Sequence, residues 1–280
     1  MPRHAAVPRR WPWIVAVSAS LWGCVLGFRG EAGFEGQHDL SQTEELRISL
    51  PDTPLTVVAC AADDPETCPP QLDYEGSWRS VAGSRSDARA DAARPILWFE
   101  RDEGFASLRA EVPLQVDGTV DLLMGEIRLP DDRHLDLRTG AGDVDVRGTE
   151  ASVVIDIDIG DVRIRGADGG LGVRTGQGDL DVQTPGHAEL RTGLGEVVVS
   201  QTGSPRDLLV RTEQGGIEVI LASDADIDLE IRTRGRISVR TPSITTVTTG
   251  EFTRQSGNGS IHVVLSSPAG DVDVRSVDPG

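Results

Sequence analysis

The chain has 280 residues, 45 acidic against 27 basic, for a formal net charge of −18, and only 4% of it is aromatic. That balance excludes nucleic acid as the expected partner, because phosphate binding needs a basic footprint. All the basic residues are Arg, so Schiff-base catalysis and P-loop phosphate binding, which need Lys, are excluded too.

In residues 1–23, Arg3, Arg9 and Arg10 precede an apolar run from Ile14 to Trp22. The run is too short to span a bilayer as a mature helix. The pattern is that of a secretory signal peptide. The apolar consensus of a twin-arginine signal does not follow the Arg pair, so the general secretion route is expected. Leu21-Trp22-Gly23-Cys24 resembles the lipobox of bacterial lipoproteins, whose Cys is lipidated and becomes the first mature residue. The resemblance implies a lipid on Cys24, attachment to a membrane through it, and a place in the bacterial cell envelope, periplasmic or surface-exposed. Residues 24–45, with Gly30, Gly33 and Gly36 among mixed polar residues, read as a flexible tether.

Residues 46–115 begin with two strands, LRISL and LTVVAC. Cys60 and Cys68 are separated by AADDPET. In an exported chain an isolated close pair reads as a disulfide, and no His lies within the segment to complete a metal site. SDARADAA fits a short helix capped by Ser86. ILWFERDEG and SLRAEVPLQV read as strands. The whole segment is expected to be a disulfide-stapled cap that blunts the first exposed edge of the repeat domain.

Residues 116–280 are repetitive. Aligning one turn glycine gives Gly142, Gly160, Gly178, Gly195, Gly215, Gly235 and Gly259, spaced 18, 18, 17, 20, 20 and 24 apart, with Gly125 a further 17 before the first. Around each corner apolar residues alternate with Asp, Arg or Gln, as in Val153, Ile155, Ile157 or Leu180, Val182. Period two means half-buried strands. One strand–corner–strand unit cannot bury its own apolar face, whereas stacked units can, at ~4.8 Å per coil. The expected fold is all-β, a single-stranded parallel β-helix or β-solenoid of about 17–20 residues per coil; an antiparallel β-sandwich of the same hairpin-like units is the alternative. Val144, Val162, Leu180, Val197, Ile217 and Ile237 are expected to stack in that order. The glycines serve a corner that has no room for a side chain or needs positive φ. Thr139, Thr175, Thr192, Thr212 and Thr233 recur before it and should form a column. The Arg232–Arg236 corner is one residue shorter, the Thr241–Gly250 stretch enlarges a coil, and AGDVDVRSV reads as a terminal half coil.

The lead-in GEIRLPDDRHLDLRTGAGDVDV and the successive R-T-G-x-G-D/E-V-x-V units resemble the bacterial putative-adhesin family, a β-strand-repeat domain of exported and membrane-associated proteins. The resemblance runs from about Leu108 to Val277. It implies a parallel β-helix-like fold, with LRISL and LTVVAC as the first coil, and no established enzymatic chemistry.

Asp143, Asp161, Asp179 and Glu196 each follow a corner glycine. Stacked about 5 Å apart, such carboxylates repel by ~1 kcal/mol in water-like surroundings. A calcium ion would relieve this, but the calcium-binding nonapeptide is G-G-x-G-x-D, whereas here Asp follows Gly directly. Balance by Arg138, Arg174 and Arg191 is the favoured reading. His4, His38, His134, His187 and His262 are scattered without metal spacing. No G-x-S-x-G or other catalytic signature occurs. Polysaccharide lyases and hydrolases built on β-helices need aromatic platforms and cleft-forming loops, and after Phe105 the only aromatic is Phe252. The expectation is a cofactor-free, non-catalytic scaffold or binding module at the envelope, meeting glycans or an envelope protein through its lateral surface. A polysaccharide-active β-helix enzyme is the alternative.

Overall fold

A computed structural model describes residues 28–61, 68–112, 119–201, 205–222 and 225–277. The expected signal peptide, residues 1–23, and Cys24 lie outside the described residues. The amino-terminal part comprises β1 (Phe28–Asp39), β2 (Thr43–Leu50), β3 (Leu55–Cys60), β4 (Gln71–Ala82), α1 (Arg85–Ala92), β5 (Ile96–Asp102), β6 (Gly104–Glu111) and β7 (Thr119–Pro130). Five strand pairs follow: β8 (His134–Ala141) with β9 (Val144–Arg147), β10 (Val153–Ile159) with β11 (Val162–Arg165), β12 (Leu171–Gln177) with β13 (Leu180–Gln183), β14 (Ala188–Leu194) with β15 (Val197–Gln201), and β16 (Leu208–Gln214) with β17 (Ile217–Ala222). β18 (Ile227–Arg240), β19 (Thr245–Gln255), β20 (Ile261–Ser267) and β21 (Val272–Val277) complete the chain.

The strands join in one large, open, mostly parallel sheet. The parallel pairing rules out the antiparallel sandwich. In each repeat the β-branched and Leu residues occupy alternate positions, so a strand turns one apolar row inward and one polar row outward. First strands pair with first strands and second with second, in register: Leu137, Ile155, Val173, Leu190 and Val210 form one row. Val144, Val162, Leu180, Val197 and Ile217 form another. All ten are at most 3% exposed. At roughly 1.5–3 kcal/mol for each fully buried aliphatic, these rows are the main cohesive element of the repeat.

The expected order fails at Ile237. Val272 lies between it and Ile217. β18 carries both strands of a repeat unit in one unbroken strand, because its shortened corner lacks the positive-φ glycine of its siblings. It lies beyond β20 and β21, and β19 folds back on its outer edge as an antiparallel hairpin. β20 and β21 return to fill the space between it and β16–β17. AGDVDVRSV is therefore an interior element, not a terminal half coil.

The other end has the same inversion. β2 and β3 pair directly with β8 and β9. β6 and β7, later in sequence, pair on their outer side. Antiparallel partners then cover this end, β5 on β6, β4 on β7 and β1 on β4. Antiparallel hairpins at both ends break the repeat's parallel template, which limits uncontrolled growth of the sheet.

Two local expectations are corrected. Residues 28–39, expected within a flexible tether, are strand β1, paired with β4 from Phe28↔Ala82 to Asp39↔Gln71. Their glycines permit close approach: a Cβ on Gly30 would lie 2.2 Å from the Ala88 carbonyl oxygen of α1. The cap of α1 is Ser84, not Ser86; its hydroxyl accepts a hydrogen bond from the Asp87 amide at 3.1 Å. Ser84 is extended and so can aim its oxygen at that amide, the geometry a cap requires.

Candidate functional site: corners and lateral faces

The corner between the two strands of each repeat is a column of close backbone contacts. Gly142, Gly160, Gly178, Gly195 and Gly215 have φ of 129°, 151°, 147°, 152° and 142°. From Gly160 onward, each sits on the carbonyl of the glycine before it, so that a Cβ on Gly178 would lie 2.0 Å from the Gly160 oxygen. Gly235 and Gly259 depart from the expected series. Gly235 stacks on Gly270, which takes the corner above Gly215, while Gly259 lies beside Gln255 in the turn from β19 to β20. Gly125 lies within β7 and is no corner.

The threonine column forms as the repeat implies. Thr175, Thr192 and Thr212 are at most 4% exposed. Their hydroxyls donate to the carbonyls of Gly160, Gly178 and Gly195 at 3.3, 3.0 and 3.2 Å. Thr139 donates to Pro51 and Thr233 to Gly270. Ile157 interrupts the column in the second repeat. The threonines thus tie each corner to its neighbour.

The acidic ladder is built differently from either expectation. Asp143 accepts the Asp161 amide at 3.0 Å, Asp161 accepts the Asp179 amide at 2.8 Å, and Asp179 accepts the Glu196 amide at 2.7 Å. Asp271 accepts the Arg236 amide at 2.8 Å. Each of these aspartates is an acceptor for a backbone N–H of an adjacent corner. The arginines do not balance this ladder. Arg138 pairs with Asp136 at 3.1 Å, Arg147 with Asp145 at 2.5 Å and Arg232 with Glu230 at 2.6 Å, and Arg191 pairs with Glu189. The recurring unit is an acid two residues before an Arg on the same strand face, a pattern present in the sequence that the glycine alignment overlooks. Among the described residues no group of His, Cys, Asp and Glu is arranged to hold a metal ion.

Cys60 and Cys68 are disulfide-bonded, with Cα atoms 5.6 Å apart. The histidines stay dispersed. His134 meets Ser152 at 2.7 Å and His262 lies 3.4 Å from Asp228. His38 joins an aromatic cluster that composition alone does not reveal. Its ring stacks on Phe99 at 3.8 Å and its Nε2 lies 3.1 Å from the Tyr74 hydroxyl. Burial lowers the His38 pKa and pushes that of Tyr74 up to about 12. Phe34 packs 6.1 Å from Trp78 in the same cluster. The one sequence signal for it was the crowding of aromatics before residue 106.

The outward face of the first strands carries a register row through Arg138, Asp156, Arg174, Arg191, Arg211, Ser266 and Arg232. The outward face of the second strands is balanced instead, with Arg147 on Asp145, Arg163 and Arg165 on Asp181, and Arg275 on Glu218. A hollow of about 450 Å³ lies over Gly33, Phe34, Gly76 and Met124 on β1, β4 and β7.

No protein-family model matches the chain, and no curated protein matches it. Among solved structures it is similar to "a putative cell adhesion protein" from Clostridium sporogenes, with 11% identity, a TM-score of 0.35, and coverage of 88% of this chain and 100% of that one. It is also similar to "a putative adhesin" from Parabacteroides merdae, with 7% identity, a TM-score of 0.26, and coverage of 88% and 96%. Likeness at these scores leaves function to be argued from the residues themselves.

Proposed function

We propose that the protein is an exported, lipid-anchored envelope protein, a non-catalytic adhesin-like scaffold or binding module that acts through the lateral surface of a parallel β-solenoid. The stacked strand pairs are read as its coils, with 17–20 residues each. The observation that carries the reading is the register itself: five successive strand pairs stack in register at one strand spacing, which suits a repetitive partner held by many weak contacts. A glycan or the sheet edge of an envelope protein is such a partner. The disulfide fits an oxidising compartment.

Anchoring would place the cap end at the membrane. β1 begins four residues after Cys24, and four residues span at most about 14 Å. Cleavage before Cys24 removes Arg3, Arg9 and Arg10 and no acid, leaving 24 basic against 45 acidic residues, a net charge of −21 that would hold the rest of the body away from anionic headgroups.

An alanine scan of outward positions tests the reading, with partner binding or surface attachment as the readout. Losses are expected to be graded. A single carboxylate or Arg indispensable for turnover of a glycan would replace the scaffold with the polysaccharide-active enzyme. Mass spectrometry of the mature chain tests the anchor: lipid on Cys24 is expected, and an unmodified terminus downstream of it would remove the anchoring claim while leaving export intact.

A further inference from the structure

On the first-strand face the acid two residues before each Arg is what neutralises it: Asp136 for Arg138, Glu189 for Arg191, Glu230 for Arg232. The pattern fails twice. Gly172 stands where the acid for Arg174 would be, and Leu209 where the acid for Arg211 would be. Neither arginine makes an ion pair with a described residue. They are neighbours in register on either side of Arg191, so three exposed guanidiniums stand on three consecutive strands. Adjacent strands are about 4.8 Å apart, a spacing at which like charges repel. Nearby carboxylates are Asp156, in register with Arg174, Asp158, beside Gly176, Glu189, taken by Arg191, and Glu213, two residues beyond Arg211.

Packing does not explain the missing acid at Gly172. A Cβ there would meet only Val154 Cγ2 at 3.9 Å, in ordinary contact. Gly176 and Gly193, by contrast, would clash with backbone oxygens at 2.6 and 2.5 Å. Gly172 and Gly176 leave the floor low on both sides of Arg174. The result is a row of three arginines on adjacent strands, of which Arg174 and Arg211 have no ion-pair partner among the described residues.

We propose that Arg174 and Arg211, on either side of the Glu189-paired Arg191, bind a linear acidic polysaccharide laid along the stack, its carboxylates taken by their guanidinium forks; this rests on the binding-module reading above. A guanidinium presents parallel N–H donors that match a carboxylate in two-point contact. Repeating carboxylates on a chain match repeating arginines on a sheet. Single-stranded nucleic acid is the lesser fit: described residues on these strands offer no aromatic side chain for base stacking.

The test is calorimetric titration of the purified protein with polygalacturonate at low salt, with neutral dextran and oligo-dT as comparison probes. Polygalacturonate is expected to bind, with affinity falling as salt rises, while dextran does not bind and oligo-dT binds more weakly. Arg174→Gln/Arg211→Gln should weaken polygalacturonate binding at least tenfold. Gly172→Glu, which restores the missing acid, should also weaken it severalfold with an unchanged circular dichroism spectrum. Arg240→Gln, outside this row, should leave it unchanged. No binding of polygalacturonate, equal binding by the double variant, or tighter binding of oligo-dT would each overturn the assignment. Failure here with surface attachment intact would leave the binding-module reading standing, whereas loss of both would remove the two together.

Discussion

Replacing Gly178 with Ala tests the corner column most directly. Gly178 has φ of 147°, outside the range that L residues usually adopt, and holding Ala there costs about 1–3 kcal/mol. The added Cβ would lie 2.0 Å from the Gly160 carbonyl oxygen and 2.5 Å from its carbon. Both are backbone, so no flexible side chain can move aside. Overpacking of this kind costs about a further 1–3 kcal/mol. The expected destabilisation is about 2–6 kcal/mol, which at roughly 2–4 °C per kcal/mol lowers the melting midpoint by upwards of about 4 °C. Gly172→Ala is the matched control in the strand that leads into the same corner, with its nearest contact at 3.9 Å and no positive φ. It should be neutral or stabilising by up to about 1 kcal/mol. Urea and thermal denaturation followed by circular dichroism measure both. If Gly178→Ala stays within about 0.5 kcal/mol of the parent, the corners do not depend on glycine and the explanation of the repeat is wrong.

Thr192→Val removes the hydroxyl that donates to Gly178 at 3.0 Å and should cost about 0.5–1.5 kcal/mol; an unchanged urea midpoint would show that the column contributes nothing. Reducing the Cys60–Cys68 bond, or replacing both by Ser, opens a loop of sequence separation 8 and should cost about 2.5 kcal/mol in the chain-entropy account, read as a lower melting midpoint. Calcium should leave that midpoint unmoved, since occupation at a hundred times the dissociation constant would add about 2.7 kcal/mol; a clear upward shift would restore the calcium ladder. Burial lowers the His38 pKa from 6.5, so the unfolded chain takes up its proton first and stability should fall as pH drops below that value. Burial raises Tyr74 from 10.0 to about 12, so the unfolded chain loses its proton first and stability should fall again as pH climbs through that interval. Urea midpoints measured across pH test both limbs, and His38→Phe should flatten the acid one.

Local chemistry in the sequence was enough for the repeat interior. Strict alternation around Ile155 or Val182 places apolar residues on one face of a strand, and glycine at a near-constant interval marks a corner where backbone must approach backbone. Identical units have one way to bury identical stripes, by lying in register, so the rows through Val144 and Leu137 could be read in advance. The close cysteine pair was legible for a similar reason, since its sequence separation is short. What the sequence did not disclose was order at the ends. Ile237 and Val272 are both good apolar residues in good strands, and nothing local says which lies nearer to Ile217. Only the tertiary structure decided it, because β18 runs unbroken through its corner and lies beyond β20 and β21, whereas the Gly270 corner fits onto Gly215. The same holds for β1, whose glycines read as flexibility until β4 and α1 supplied surfaces for them to approach. The partners of the corner carboxylates were equally hidden: an Asp after a glycine reads as a solvated charge, and only stacking brings the next backbone N–H within its reach.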